Sequence, residues 1–401
     1  MAPIDLDLGM LTQNRITLVA LCLFSLAASA QMTGDRARAR DLGVPFEGTP
    51  GQLDAITDVA GVEVGATTLI RGDGPLKVGE GPVRTGVTVI FPRGKQNTDN
   101  VYAGWFSLNG NGEMTGTTWL EEAGLLKGPV GITNTHSVGV VRDSIIAWAV
   151  RQKLIKADEW SLPVVAETWD GWLNDINGFH VKQEDVFAAL DSAKTGPVAE
   201  GNAGGGTGMV CYGFKGGTGT ASRVLSKENG GYTVGVLVQC NCGRRPQLTI
   251  AGVPVGKEIT GNEPYANLKQ LPGSEEKGDV GSIIIVVATD APLLPHQLKR
   301  IARRASLGLA RTGSVSGNGS GDIFIAFSTA NPHADDAPGP NPVQTVSTER
   351  ISPLFEATVE ATEEAIVNAM VGAKTMTGIN GHTVNALPHE RLQQVLKKYN
   401  R

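Results

Sequence analysis

The chain is poor in the features that usually announce an enzyme. Its six histidines are scattered, and no HExxH pair places two of them on one helix face. A zinc hydrolase is therefore unsupported. No Gly-Lys-Ser/Thr closes a glycine loop, so a P-loop phosphate cradle is absent. "GNAGGGTG" from Gly201 is glycine-rich but out of register with a G-x-G-x-x-G dinucleotide loop. There is no G-x-S-x-G elbow. His136 in "NTHSVG" could be imagined in a Ser-His-Asp triad, but it stands at an expected helix start, where capping or packing is commoner. Basic patches are missing too. With a net charge of -5, nucleic acid is excluded as an expected partner. Glycine reaches 52 residues without a collagen-like period or a low-complexity tract, which excludes fibrous and disordered classes.

Long apolar runs are also scarce. The one near the N-terminus, "ITLVALCLFSLAASA", follows Arg15 and ends on the small residues Ala28-Ser29-Ala30. A basic residue, a short apolar stretch and a small-x-small end predict a secretory signal over residues 1–30, too short to span a bilayer comfortably. Asp5 and Asp7 are unusual in such a segment, and a start at Met10 would remove both. Export to the periplasm is expected, with no membrane span in the mature chain. Removal of the signal takes Cys22 with it, leaving Cys211, Cys240 and Cys242. That odd number allows at most one disulfide. Cys240 and Cys242 share a strand face, but no further ligand lies near them in sequence. All three read as small buried hydrophobes, and neither a metal nor a cofactor is expected.

Hydrophobic residues make up 41% of the 401, enough for a large core. After a polar lead-in over residues 31 to about 50, strands are expected at "GVTVIFP", "VYAGWFSL", "GPVGIT", "PVVAETWDG", "YTVGVLVQCN", "QLTIAGVPVG", "SIIIVVATD" and "DIFIAFST". Helical spacing marks Ser137–Leu154, with Thr135 or Ser137 as N-cap. Further helices are expected from Gln183, from Pro295, from Ser352 and over the last residues. "GGTG" occurs at Gly205 and again at Gly216, which reads as two tight glycine turns. Strands and helices mix without strict βαβ alternation, favouring sheets covered by helices.

One seam stands out. "GSEEKGDVGSIIIVVATD" passes from a polar loop to an unbroken apolar strand at Gly281-Ser282. A serine nucleophile without a histidine base needs another proton acceptor. Cutting the chain just before Ser282 would supply one, since a free α-amine has a pKa of about 7.7–8.0 and lies beside the hydroxyl. Gly281 could hold the strained backbone that helps the Ser282 hydroxyl attack the Gly281 carbonyl. Alone, Gly-Ser before a strand is usually a turn.

The surroundings strengthen the seam. "GNGEMTGT", "ITNTHSVGVVRD", "ETWDGWLNDINGFHV", "GGGTGMVCYGFKGGTGTASR", "VGVLVQCNCG", "GDVGSIIIVVATDAPLLPHQLKRIARRASLGLARTGS" and "SGNGSGDIFIAFSTAN" follow in order along nearly the whole mature chain. Together they resemble the β-aminopeptidase and L-aminopeptidase/D-amidase/esterase family of self-cleaving serine peptidases. The resemblance implies an α+β fold, a four-layer αββα sandwich that is N-terminal-nucleophile-like with different strand connectivity. It implies one peptidase domain over 31–401, cut into an α chain (31–281) and a β chain (282–401) that stay associated, in a homo-oligomer of such pairs.

It also implies roles. Ser282 matches the nucleophile. Ser320 and Asp322 match a supporting Ser-x-Glu pair, with an acid one methylene shorter here; two residues apart on a strand, they would share a face. Asn241 matches an oxyanion amide, worth about 3–4 kcal/mol by comparison with similar donors, and alternation turns it away from Cys240 and Cys242. Glu167 matches the acid that anchors a substrate's free amine. Trp169 stands where some relatives have tyrosine and reads as a pocket wall, since its N–H only donates. The implied activity is release of an N-terminal β-amino acid, small L-residue or D-Ala from short peptides, amides or esters through an acyl-enzyme on Ser282. Two alternatives stand beside it: an acyl transferase related to ornithine acetyltransferases, which carry Thr at the seam, and a non-catalytic binding protein on the same fold.

Overall fold

Strand alternation sets the architecture. The computed structural model describes residues 37–264, 281–333, 335 and 339–401. A four-stranded sheet has the order β1 (Glu63–Arg71), β2 (Val83–Phe91), β5 (Val130–Asn134), β6 (Val164–Thr168). A six-stranded sheet runs β4 (Leu125–Leu126), β3 (Val101–Ser107), β12 (Ile323–Ser328), β11 (Ser282–Thr289), β10 (Thr233–Asn241), β9 (Gly217–Val224). Two hairpins stand apart from these sheets: β7 (Val210–Cys211) with β8 (Phe214–Lys215), and β13 (Met376–Thr377) with β14 (Thr383–Val384).

On β11, Ile284, Val286 and Ala288 enter a core shared with the four-stranded sheet, where they meet Ile90, Ile132 and Val164. Ile283, Ile285 and Val287 enter a second core on the opposite face. That core is closed by α5 (Pro295–Arg311) and α6 (Ser352–Val371), through Leu298, Ile301, Ala361 and Ala365. A strand covered on both faces needs an unbroken apolar run, and each such side chain contributes about 1.5–3 kcal/mol. The outer face of the four-stranded sheet packs Val87, Val89 and Val165 against α2 (Val138–Arg151) and α3 (Gln183–Ser192). The layers are therefore helix, sheet, sheet, helix, as expected. α1 (Thr117–Ala123), α4 (Val255–Glu258) and α7 (His389–Lys398) complete the α-helices among the described residues. None of the described helices is long and apolar enough to cross a membrane.

Several expectations change. "QLTIAGVPVG" is not a strand. Ala251 and Gly252 take positive φ (51° and 77°), leaving one bridge between Ile250 and Val253 before the short α4. The alternating apolar residues there still bury, which is why they mimic a strand. The second "GGTG" opens β9 instead of a turn, while the first lies in a 3-10 helix, Gly204–Gly208. β1 and β9 carry too many small, polar or exposed residues to be read as strands from periodicity. The polar lead-in is tied to the fold from residue 38 onward. Arg38 pairs with Glu200 at 2.9 Å, Arg40 with Glu364 at 2.7 Å, and Ala39 and Val44 are buried. The signal over 1–30, with Cys22, lies outside the described residues.

Candidate active site

Ser282 opens β11 on the face of Ile284 and Val286, toward the other sheet. Antiparallel register pairs it directly with Asn241, the last residue of β10. The nucleophile candidate and the amide candidate are thus cross-strand neighbours. The Asn241 amide is oriented from both ends. Its Oδ1 accepts from the Val210 N–H at 2.7 Å, and its Nδ2 donates to the Trp169 carbonyl at 3.0 Å. A primary amide has a second N–H, which can serve an oxyanion. Cys240 points to the opposite face, with Ile283 and Ile285.

The Ser282 Oγ accepts from the Gly321 N–H at 3.0 Å. Gly321 lies between Ser320 and Asp322, and these two meet directly: Ser320 Oγ donates to Asp322 Oδ1 at 2.6 Å. The same Oδ1 accepts from the Ile283 N–H at 3.1 Å, tying it to the residue after the nucleophile. Asn109 Oδ1 accepts from the Asp322 N–H at 2.6 Å and holds the turn. The pair was expected on a strand. Instead it precedes β12, and the turn lets the two side chains touch each other.

Glu167 lies in β6 with 3% of its surface exposed. Its carboxylate accepts from the Glu113 N–H at 2.9 Å and from the Thr135 hydroxyl at 2.5 Å. Burial pushes its pKa above the usual carboxylate range, against the pull of those two donors. Thr135 is therefore not a helix N-cap. Ser137 holds that position without a side-chain bond. Gly112 joins the two halves of the site. A Cβ there would stand 3.0 Å from Gly321 Cα and 3.3 Å from Glu167 Oε1. The loop carrying Asn109, Gly112 and Glu113 thus runs between the support of Ser282 and the buried acid.

Trp169 is half-buried and contributes its carbonyl to Asn241. Asp170 beside it is fully buried, accepts from Asn174 at 3.0 Å, and is pushed up to about 7 by burial. The His136 ring stacks on Phe179 with centroids 5.9 Å apart, a packing role.

Gly281 departs from expectation. It is not among the glycines with positive φ, so the strain argued from its conformational freedom has no left-handed backbone behind it. Glycine is required there by crowding: a Cβ would press on the Asn241 carbonyl and come within 2.6 Å of Cys242 Cα. The cysteines also need correction. All three are buried, but Cys211 joins the other two in space, with its Sγ 3.7 Å from that of Cys242, itself 3.8 Å from Cys240. A third thiol is near after all, brought by the hairpin that also orients Asn241.

Sequence reasoning assigned no role in the site to Gly321, Asn109, Thr135, Glu113 or Val210. Three of these act through backbone N–H groups, which every residue but proline carries. The quoted motifs "GNGEMTGT", "ITNTHSVGVVRD", "GGGTGMVCYGFKGGTGTASR" and "SGNGSGDIFIAFSTAN" hold four of them, and Asn109 stands just before the first.

A strand-opening serine, a cross-strand amide and a buried acid on a four-layer sandwich define a serine hydrolase of the N-terminal-nucleophile type. The comparisons with known proteins narrow the class. Peptidase family S58 matches residues 54–384, and the chain belongs to that family. It is 57% identical over 381 residues to beta-peptidyl aminopeptidase BapA of Sphingosinicella microcystinivorans, covering 94% of this chain and 95% of that protein. A BapA from Sphingosinicella xenopeptidilytica is 50% identical over 393 residues, covering 96% and 97%. Among solved structures, the L-aminopeptidase D-Ala-esterase/amidase of Ochrobactrum anthropi matches with a TM-score of 0.83 and 50% identity, over 91% of this chain and 99% of that one. It is described as a prototype of the serine aminopeptidases and a variant of the Ntn hydrolase fold. The beta-aminopeptidase of a Burkholderia species gives 0.79 and 47%, over 90% and 99%. This chain is a hydrolase, a serine aminopeptidase, and the reading as a non-catalytic binding protein falls away.

Proposed function

We propose that the protein is an exported, self-processing β-peptidyl aminopeptidase. The observation that carries this reading is the contact of Ser282 Oγ with the Gly321 N–H at the start of β11, beside Asn241. In the precursor, Ser282 Oγ attacks the Gly281 carbonyl, the amide nitrogen leaves as the Ser282 amine, and water hydrolyses the ester. The products are an α chain ending at Gly281 and a β chain starting at Ser282, which stay together because β10, β11 and β12 belong to one sheet.

In the mature enzyme the Ser282 amine takes the hydroxyl proton, its pKa of about 7.7–8.0 suiting it to this near neutral pH. The oxygen then attacks the substrate carbonyl. Asn241 Nδ2 donates to the tetrahedral oxygen, while Asp322, with Ser320, keeps the nucleophile's strand in place. The leaving amine takes the proton, and water attacks the acyl-enzyme to release the amino acid. Glu167 anchors the substrate's ammonium, which restricts the enzyme to unblocked N-termini. Trp169 walls the pocket. Substrates are short peptides, amino-acid amides or esters. The β-amino acid preference rests on the identity to the two BapA proteins, while small L-residues and D-Ala are the second choice, from the likeness to the Ochrobactrum enzyme. Periplasmic location and assembly of αβ pairs into a homo-oligomer belong to the same reading. Ser282 and the N-terminal signal weigh against the transferase alternative.

The test pairs a denaturing gel with hydrolysis of β-alanyl, L-alanyl and D-alanyl p-nitroanilides. Two fragments meeting at residue 282 and fastest release of β-alanine are expected, with Ser282→Ala uncut and inactive. An active chain that stays in one piece would overturn self-processing, and faster L- or D-alanyl cleavage would overturn the β-preference.

A further inference from the structure

The three thiols of Cys211, Cys240 and Cys242 take no part in the chemistry above, yet they come together from two separate stretches of chain. Cys240 ends the core face of β10, Cys242 follows the strand, and Cys211 arrives on β7. Their sulfurs lie within 4.8 Å of one another, with Cys211 3.7 Å and Cys240 3.8 Å from Cys242. These separations are too long for a disulfide, whose S–S bond is about 2.0 Å. They match the edges of a thiolate metal site. With metal–sulfur bonds of about 2.3 Å, sulfur–sulfur edges are ~3.8 Å in a tetrahedron and ~4.0 Å in a trigonal plane. Two of the three sulfur–sulfur edges thus match such a site, and the third lies within 4.8 Å.

We propose that these three cysteines form a Cu(I) site. The donor set selects the ion. No His, Asp or Glu joins the three thiols in the group among the described residues. Zinc structural sites use four ligands, whereas soft thiolates alone suit Cu(I). All three cysteines are buried, which keeps bulk solvent away from the sulfurs. The fully buried Lys215 lies on β8, which pairs with the β7 strand that carries Cys211. Coordination releases the thiol protons to solvent, and copper enters and remains as Cu(I), so no electron is transferred.

The site would act as a staple beneath the oxyanion amide. Cys240 and Cys242 flank Asn241, and Cys211 follows Val210, whose N–H holds Asn241 Oδ1 at 2.7 Å. An ion bridging these cysteines fixes the β7 hairpin to the end of β10 and so fixes the amide.

The experiment incubates the full-length purified protein anaerobically with Cu(I), supplied as its acetonitrile complex, then dialyses it against bicinchoninate. One copper per chain is expected to remain, with a raised unfolding midpoint and a copper K-edge spectrum showing three sulfurs at about 2.3 Å. Cys211→Ser and Cys242→Ser should each lose the retained copper. Should either variant fail to fold, the wild-type absorption spectrum decides alone. Retention of less than about a tenth of an equivalent, a nitrogen or oxygen shell, or a Cys211–Cys242 disulfide found by mass spectrometry would overturn the proposal.

Discussion

The two sheets contribute different physics to one site. The six-stranded sheet supplies Ser282, Asn241 and the turn of Ser320 and Asp322, held by short hydrogen bonds of largely backbone origin. The four-stranded sheet supplies Glu167, a single buried acid whose two donors only partly compensate its desolvation. Chemistry needs fixed dipoles where charge develops, the role the proposed mechanism gives to the first sheet. In the proposed function, recognition of a free amine needs a buried carboxylate, the role given to Glu167 on the second sheet. The division teaches that turnover and substrate binding should be separable by mutation, sheet by sheet.

The largest effect that would sharpen this division is expected at Asn241. Asn241→Ala should lower kcat about 10²–10³-fold with little change in KM, because in the proposed mechanism the lost N–H donates to the tetrahedral oxygen. A comparable rise in KM would break the division. Asp322→Ala should lower kcat about 10²-fold, since Ser320 and the Ile283 N–H lose a shared acceptor beside the nucleophile. Steady-state kinetics of Asp322→Glu, restoring the longer acid, should return most of the rate; no recovery would mean the turn has adapted to aspartate.

On the other sheet, Glu167→Gln should raise KM about tenfold or more for free-amine substrates, with a smaller change in kcat. Discrimination against an N-acetylated substrate should shrink with it. Because burial raises the Glu167 pKa, the anchor neutralises at a higher pH than an exposed carboxylate would. KM should therefore climb as pH falls through the acid range, and the Gln variant should lack that climb.

The smallest expected effect on turnover lies at Asp170, between the two sheets' contributions. Its folded pKa is about 7, above the ordinary carboxylate value of 3.8. The folded chain holds this proton more tightly than the unfolded one. The resulting stabilisation is full below about pH 4 and is lost as pH rises through about 7, amounting to a few kcal/mol. Denaturant melts of Asp170→Asn and wild type should thus diverge as pH rises, with the variant gaining relative stability. Parallel curves would remove Asp170 as a buried neutral acid.

How much of this was legible in sequence depended on whether the cause was local. The Gly281-Ser282 seam, the doubly covered run after it, and the helices from Gln183, Pro295 and Ser352 were readable, because periodicity and loop-to-strand boundaries are properties of neighbouring residues. Residues 247–256 misled for the same reason: their alternation was genuine, but Ala251 and Gly252 fold the segment back on itself. β9 was missed because its small residues bury against α6 instead of showing an apolar face.

Composition and pattern by themselves determined that sheets are covered by helices and marked the strand-opening serine, since burial on both faces leaves its signature along the chain; the αββα order came only with the family resemblance. Only the tertiary structure decided which backbone N–H meets Ser282, that Thr135 serves Glu167 and not a helix end, that crowding imposes glycine at 281, and that Cys211 joins Cys240 and Cys242. The reason is physical: hydrogen bonds and thiol contacts between segments more than thirty residues apart depend on register and crossing, which no local window of residues encodes.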